Sequence, residues 1–424
     1  MIATPATISA IISAVNSAAP VEITWTEGKS TRTALWRSER SAPVPKRVAL
    51  ADDTMSADTA YRLACEGTGL LWRGDFQNAR LLLQSLARRI DKPPKASKIA
   101  RQERKKSAND EPSGVPAVQA FHLYRQARAQ RARVLGMVLI EFAADYSIAL
   151  RRAPDAKQAC IEAWGPASEG IQPSIASLRE LMGVISAHEW RKKGVEIYAL
   201  TSPGAVIAKA APNNRIYPHY GVFSPVRGEY VDLVAAAPLP KQRPAKFVAF
   251  DIGTGTGVLA AVLALREVDQ VVATDQDLRA LDCAKENIYR LRLPNPVKVM
   301  QADLFPEGLA SVIVCNPPWL PARPSSPLEG AVYDEGSRML LGFLRGVAAH
   351  LAPGGEGWLI LSDFAEHLGL RTRDELLKAI QDGGLKVLGR MDAKPVHAKA
   401  LDATNPLATA RGNEVTSLWR LGAV

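Results

Sequence analysis

Two short stretches hold residues whose types and spacing suit chemistry. The first, "FVAFDIGTGTGVLAAVLAL" at 247–265, sets a carboxylate and three glycines between an apolar run and an alanine-rich helical segment. Gly253, Gly255 and Gly257, with Thr254 inside the loop, remove side chains that would hold a ligand off the backbone. Their G-x-G-x-G spacing differs from the G-x-G-x-x-G that brings a helix N-terminus up to a pyrophosphate. Asp251, just before the first glycine, would repel such a group and suits a cationic one. The second stretch, "VIVCNPPWLP" at 312–321, puts an asparagine and two prolines at the end of another apolar run. Pro317 lacks an N–H and biases Asn316 toward extended backbone, so carbonyl acceptors meet few competing donors there. The Asn316 side-chain oxygen and the Pro317 carbonyl can each accept one hydrogen of a planar NH2 group, with Trp319 stacking on its plane.

These residues work only if strand ends bring them together. From residue 246 onward short apolar runs alternate with helical segments: "FVAFDIG", "QVVATD", "VKVMQAD", "VIVCNPPW", "GWLILSD", "LKVLGRM" and "VTSLWRLG". Such alternation predicts a parallel sheet covered on both faces. The last two runs are joined by a proline-rich stretch without a clear helix, so that pair is expected to be antiparallel. Ligands of such sheets lie beyond the carboxyl ends of the strands. Asp275, ending the second strand, is placed to take both hydroxyls of a ribose, and Asp303, ending the third, to accept from the exocyclic amine of adenine. With Asp251 facing an ammonium and a sulfonium, the three acids outline S-adenosyl-L-methionine. In-line methyl transfer to a gripped NH2 group is mainly a matter of positioning and asks for no metal and no strong base.

Residues from about 217 onward resemble class I S-adenosylmethionine-dependent N-methyltransferases with an Asn-Pro-Pro-aromatic motif. "VFSPVRGEYVDLV", "DIGTGTG", "ATDQDLRALDCAKENI", "ADLF", "NPPW" and "LEGAVYDEGSRMLLGFL" are similar to the HemK-like release-factor glutamine methyltransferases. The core is also similar to ribosomal RNA purine N-methyltransferases. The resemblance implies a Rossmann-like α/β fold with a seven-stranded sheet whose last strand is antiparallel. It places Asp251 and the glycines at the methionine end, Asp275 on the ribose, Asp303 near the adenine, and Asn316 with Pro317 on the target amine. Trp319 stands where tyrosine is commoner. In "YDEG", Asp334 could cap the helix that follows or close over substrate.

The chain has 424 residues and a formal net charge of +10, which suits two domains and favours encounter with polyanions. A first domain, 1–200, is expected to be mainly helical and to recognise the substrate; a second, 201–424, to be the methyltransferase. Alternation at 21–36 predicts a hairpin, and helical spacing at 57–90, 118–142 and 174–190 predicts helices. Residues 91–114, rich in Lys, Arg, Pro and Ser, read as a mobile basic loop able to touch a polyanion. The 4 cysteines show no CxxC spacing, which disfavours a disulfide framework or zinc site and fits the cytoplasm. No apolar run is long enough to span a bilayer. Three functions are therefore expected in order: methylation of a glutamine amide in a translation factor or ribosomal protein; methylation of an adenine or guanine amine in RNA or DNA; and a catalytically silent RNA- or ribosome-binding protein.

Overall fold

Two sheets, one of six strands and one of seven, organise two separate units. The structure, a computed structural model, describes residues 21–92, 116–167, 172–201, 213–242, 244–324, 327–395 and 407–424. Apart from Asp91 and Lys92, the basic loop expected at 91–114 lies outside the described residues. One unit comprises Met1–Pro93, Arg131–Ile161 and Gly165–Met182; the other comprises Pro94–Gln130, Glu162–Trp164 and Gly183–Val424.

In the first unit, β1 (Glu22–Glu27) and β2 (Ser30–Trp36) form the expected hairpin, with Gly28 in the left-handed region at the turn. They belong to a six-stranded mixed sheet with β3 (Arg47–Ala51), β4 (Thr68–Trp72), β5 (Val138–Phe142) and β6 (Ser174–Ser177), in the order β1-β2-β6-β5-β4-β3. Helix α1 (Ala57–Cys65) crosses between the parallel strands β3 and β4, and α2 (Phe76–Asp91) follows β4. The expectation of a mainly helical first domain with a small hairpin left out this six-stranded sheet, which stands beside the helices. The cause lies in β4, β5 and β6, which are only 4 or 5 residues long. β4 and β6 are buried throughout and β5 nearly so, and strands covered on both faces show no polar alternation. Within "AYRLACEGTGLLW" and "RVLGMVLIEF" their apolar residues merge with the helical spacing before them. Gly67, with φ of 82°, ends α1 and separates it from β4. Helices α3 (Ala117–Leu135) and α4 (Leu178–Lys193) are each shared between the units, so the division falls ahead of residue 200 and not in one linker.

In the second unit a short ladder of β7 (Val195–Glu196) and β8 (Arg215–Ile216) precedes α5 (Glu229–Ala236). Seven strands follow: β9 (Val248–Ile252), β10 (Gln270–Asp275), β11 (Val297–Gln301), β12 (Ala310–Cys315), β13 (Leu351–Ser362), β14 (Leu385–Ala393) and β15 (Thr416–Ala423). Their order is β11-β10-β9-β12-β13-β15-β14. β9 to β13 run parallel, and β15 pairs antiparallel with both β13 and β14. The crossover helices are α6 (Val258–Ala264), α7 (Leu278–Leu291), α8 (Arg338–His350), α9 (Phe364–His367) and α10 (Arg373–Asp382), with α11 (Ala408–Gly412) before β15.

Successive residues of one strand feed opposite cores. Ala249 and Ile360 pack with α5 and α6, whereas Phe250 and Leu359 pack with α8 and α10. Across β13 and β15, Glu356 accepts from Arg420 Nε and a terminal guanidinium nitrogen at 2.7 and 2.6 Å, and from the Trp358 indole at 3.0 Å. The buried carboxylate is thereby satisfied and its charge paired. Ile360 is fully buried at the centre of the sheet, so Ile360→Ala is expected to destabilise the second unit by about 2 to 5 kcal/mol, seen as a lower urea midpoint; a shift under about 1 kcal/mol would mean this core is not packed as described.

Candidate cofactor and substrate site

The site is built at the carboxyl ends of β9, β10, β11 and β12. Asp251, 1% exposed on β9, accepts the Thr254 hydroxyl at 2.6 Å and the Ala260 N–H at 2.9 Å, both on Oδ2. The glycine loop is wound around this carboxylate, from the hydroxyl of the loop to the first turn of α6. Gly253, Gly255 and Gly257 have φ of 70°, 54° and 81°, a left-handed conformation that other residues rarely adopt. A side chain on Gly253 would meet the end of Met339, and one on Gly257 would press on Ala284 of α7. At Gly255 nothing lies within 4 Å of where a Cβ would be, leaving the backbone open to a ligand.

Asp251 Oδ1 is buried and has no hydrogen-bond partner. A buried acceptor without a donor is costly, so it calls for one from a bound molecule. Burial pushes this carboxyl up to about 6, opposed by the donors on Oδ2 and reinforced by the nearby Asp275. Asp275, at the end of β10, accepts the Gly255 N–H at 3.0 Å on Oδ2 and the Asp277 N–H at 3.0 Å on Oδ1. It too is raised, chiefly by burial. Each oxygen keeps a lone pair for further donors. Asp303 lies just past β11, exposed, where its Oδ1 accepts from Gln276 Nε2. Thr254 and the three glycines therefore share one loop that hydrogen bonds join to Asp251 and Asp275, while Asp303 sits at the exposed rim.

Asn316 follows β12, the strand paired with β9. The Trp319 indole N–H donates to Asn316 Oδ1 at 2.9 Å. An indole nitrogen can only donate, so this bond fixes which way the amide faces and leaves Oδ1 one acceptor position. Trp319 is half-buried against both cores. The Arg227 guanidinium lies 5.1 Å from its ring centroid, so one face of the indole is covered by a cation. Arg227 in turn donates to Glu229 at 2.7 Å and to the buried Glu414 at 3.1 Å, which also accepts from Ser362 Oγ at 2.8 Å. Pro317 is buried between Asn316 and the half-exposed Pro318.

Several supporting residues escape a reading by motif. Asn287 of α7, fully buried, donates to the Thr256 carbonyl at 3.1 Å and accepts the Tyr217 N–H at 2.8 Å, tying the glycine loop to the segment before "GVFSP". His219 in that segment holds Glu286 at 2.6 Å. Asp334 accepts the Met339 N–H at 2.8 Å, so it caps α8 and sets Met339 against Gly253. Its neighbour Tyr333 bridges to Leu320, directly after Trp319. Over that bridge lies the N-terminal part of α3, through Phe121 and Tyr124. No local pattern in α3 announced this packing, because its partner lies some 200 residues further along the chain. Among the described residues no group of His, Cys, Asp and Glu could hold a metal ion, and no helix is long and apolar enough to cross a membrane.

Fold and site together define a class, and residues 213–380 match the methyltransferase small domain, a domain of S-adenosylmethionine-dependent methyltransferases. Three curated relatives narrow the neighbourhood. A release factor glutamine methyltransferase of Rhodopirellula baltica is 42% identical over 83 residues, 18% of this chain and 28% of the relative. A tRNA1(Val) (adenine(37)-N6)-methyltransferase of Pedobacter heparinus is 33% identical over 117 residues, 26% of this chain and 50% of the relative. A ribosomal protein L11 methyltransferase of Clostridium perfringens is 39% identical over 80 residues, 18% of this chain and 25% of the relative. The chain thus spans a quarter to a half of the length of these relatives.

Because the folded Asp251 carboxyl titrates above its ordinary range, protonation is easier in the fold than in the unfolded chain. The ionised form is therefore held at a cost that grows as pH rises through about 6. Asp251→Asn should then leave thermal stability at neutral pH equal or higher, while weakening binding of S-adenosylmethionine by about 10- to 100-fold in calorimetric titration. Unchanged affinity would remove Asp251 from the cofactor site.

Proposed function

We propose that the second unit transfers the methyl group of S-adenosylmethionine to a planar NH2 group of a macromolecule. The observation that carries this reading is the fixed Asn316 amide at the end of β12, next to the strand that ends in the orphaned Asp251 oxygen. The cofactor, when bound, supplies an electrophilic methyl group. Asp251 would hold its ammonium group through Oδ1, Asp275 its ribose hydroxyls, and Asp303 its adenine at the rim. The open backbone at Gly255 leaves the room this arrangement requires.

Asn316 Oδ1 would accept one N–H of the target with the lone pair that the Trp319 indole leaves free, and the Pro317 carbonyl the other. Drawing both hydrogens into acceptors orients the nitrogen and makes its delocalised lone pair more available to attack. The proton released on methylation passes to water, since no strong base is needed for a cationic product. Trp319, clamped by Arg227, keeps the acceptor from rotating away. The exposed part of its ring would serve as the stacking surface expected from the sequence.

A glutamine side-chain amide and the exocyclic amine of adenine or guanine all present such a group. The release-factor relative supports the first and the tRNA relative the second. The intact Asn-Pro-Pro-Trp motif speaks for a working enzyme over a silent binding protein on the same fold.

Asn316→Ala should lower kcat by about 10²- to 10³-fold in a labelled methyl-transfer assay while leaving cofactor affinity near that of the wild type. Undiminished turnover would refute the role given to Asn316.

A further inference from the structure

Around the loop after Trp319, the second unit gathers arginines that have been given no carboxylate. Leu320 sits in an apolar cluster with Phe121, Phe364, Ala365, Leu368 and Leu407, and with Tyr124, Ala322, Tyr333, Leu370 and Ala410 packed against it. Five arginines flank members of that cluster. Arg125 lies 4.3 Å from the Tyr333 ring centroid and donates to the Arg323 carbonyl at 2.6 Å. Arg128 lies 5.6 Å from the Tyr124 ring and donates to its hydroxyl at 3.0 Å. Arg411 covers the Phe364 ring at 4.8 Å. Arg323 follows Ala322, and Arg371 follows Leu370.

Several other arginines in this unit are matched: Arg191 and Arg290 with Glu286, Arg227 with Glu414, Arg373 with Glu366, and Arg420 with Glu356. Among the described residues, none of the five around the Leu320 cluster has a carboxylate within ion-pair distance. Arg371 is the extreme case. It is only 9% exposed, yet its Nε and a terminal nitrogen have no partner, and the Arg411 Nε is likewise buried and unpartnered. Glu366 and Glu375 favour the Arg371 charge from beyond ion-pair distance, but its buried N–H groups still lack an acceptor, which is costly unless an anion supplies one. The exposed members, Arg128 and Arg323, present further positive charge to solvent.

Resting on the methyl-transfer reading above, we infer that this rim takes the phosphates of a nucleic acid, and that the NH2 group presented to Asn316 belongs to a base of RNA. Guanidinium groups interleaved with Tyr124, Tyr333 and Trp319 suit a phosphodiester chain whose unstacked bases lie against aromatic rings. An acidic peptide would answer the charge but would leave the rings without planar partners. A base must leave its stack to reach an NH2 grip at a strand end, and backbone contacts beside that grip help hold it there. This assigns to the nucleic acid the place that the sequence alone gave first to a protein glutamine.

The test uses the full chain and a fluorescein-labelled single-stranded RNA oligonucleotide, with anisotropy read across a series of potassium chloride concentrations. Wild-type binding should weaken steeply with salt. Each phosphate contact to a single strand contributes about 0.7 to the log-log slope, so R128Q/R323Q, two exposed changes, should flatten it by about 1.4 and weaken binding by about tenfold or more. R371Q should weaken binding at every salt concentration. Cofactor affinity, measured in parallel by calorimetry, should stay at the wild-type value in all variants. RNA affinity that is absent, or untouched by these substitutions, would overturn the inference while intact cofactor binding left the methyl-transfer reading standing. Loss of cofactor binding by the wild type would instead count against that reading.

Discussion

One buried carboxylate sets the terms for the rest of the site. Asp251 lies near the end of β9, an interior strand of a seven-stranded sheet, where charge is expensive, and two of its neighbours are spent on Oδ2 alone. The Thr254 hydroxyl and the first turn of α6 must curl toward that oxygen, and the turn is tight enough to need left-handed backbone at three alternate positions. Glycine is required there for conformational reasons before any ligand is considered. The same curl presents the Gly255 N–H to Asp275, so the ends of β9 and β10 are joined through a hydrogen bond to the loop between them. Leaving Oδ1 without a donor is the cost of keeping an acceptor ready.

A second constraint runs from the opposite side. Ser362, Glu414, Arg227, Trp319 and Asn316 form one continuous chain of contacts from β13, the segment before β15 and the segment before α5 to the end of β12. Its members come from four distant parts of the sequence. An asparagine at a strand end would otherwise sample several rotamers, so the chain converts a mobile amide into a fixed acceptor. The two constraints meet through Asp334, which caps α8 and places Met339 against Gly253 while its neighbour Tyr333 pairs with Leu320. The glycine loop and the segment after Asn316 are thus held by the same short segment.

Much of the second unit was legible because its first four parallel strands each end at or near an acid or an asparagine. "FDIG", "ATD" and "CNPPW" mark where chain direction reverses, and the acids and the asparagine occur where a parallel sheet gathers its ligands. The first unit offered no such punctuation. β4, β5 and β6 are short and covered on both faces, and their residues continue the apolar spacing of neighbouring helices, so a period of two never shows. Nor could the sequence say that the N-terminal part of α3 covers Leu320, since that packing depends on tertiary neighbours. Of the site residues, Asp303 is the least enclosed, exposed beside Gln276, and no periodicity distinguishes an exposed strand-end acid from a buried one.

The placement of β15 has a consequence for how the chain is made. It is the last strand of the sheet to be synthesised, yet it lies between β13 and β14, which precede it, and pairs with both. While the chain emerges, β9 to β13 can assemble with their helices, but β14 has no neighbour to hold it until residues 416–423 arrive. The strands that carry the glycine loop and Asn316 are thus available before β15 is made. Sealing of the far edge, with Arg420 reaching Glu356 across the gap, waits for β15, and until then β13 presents an open edge.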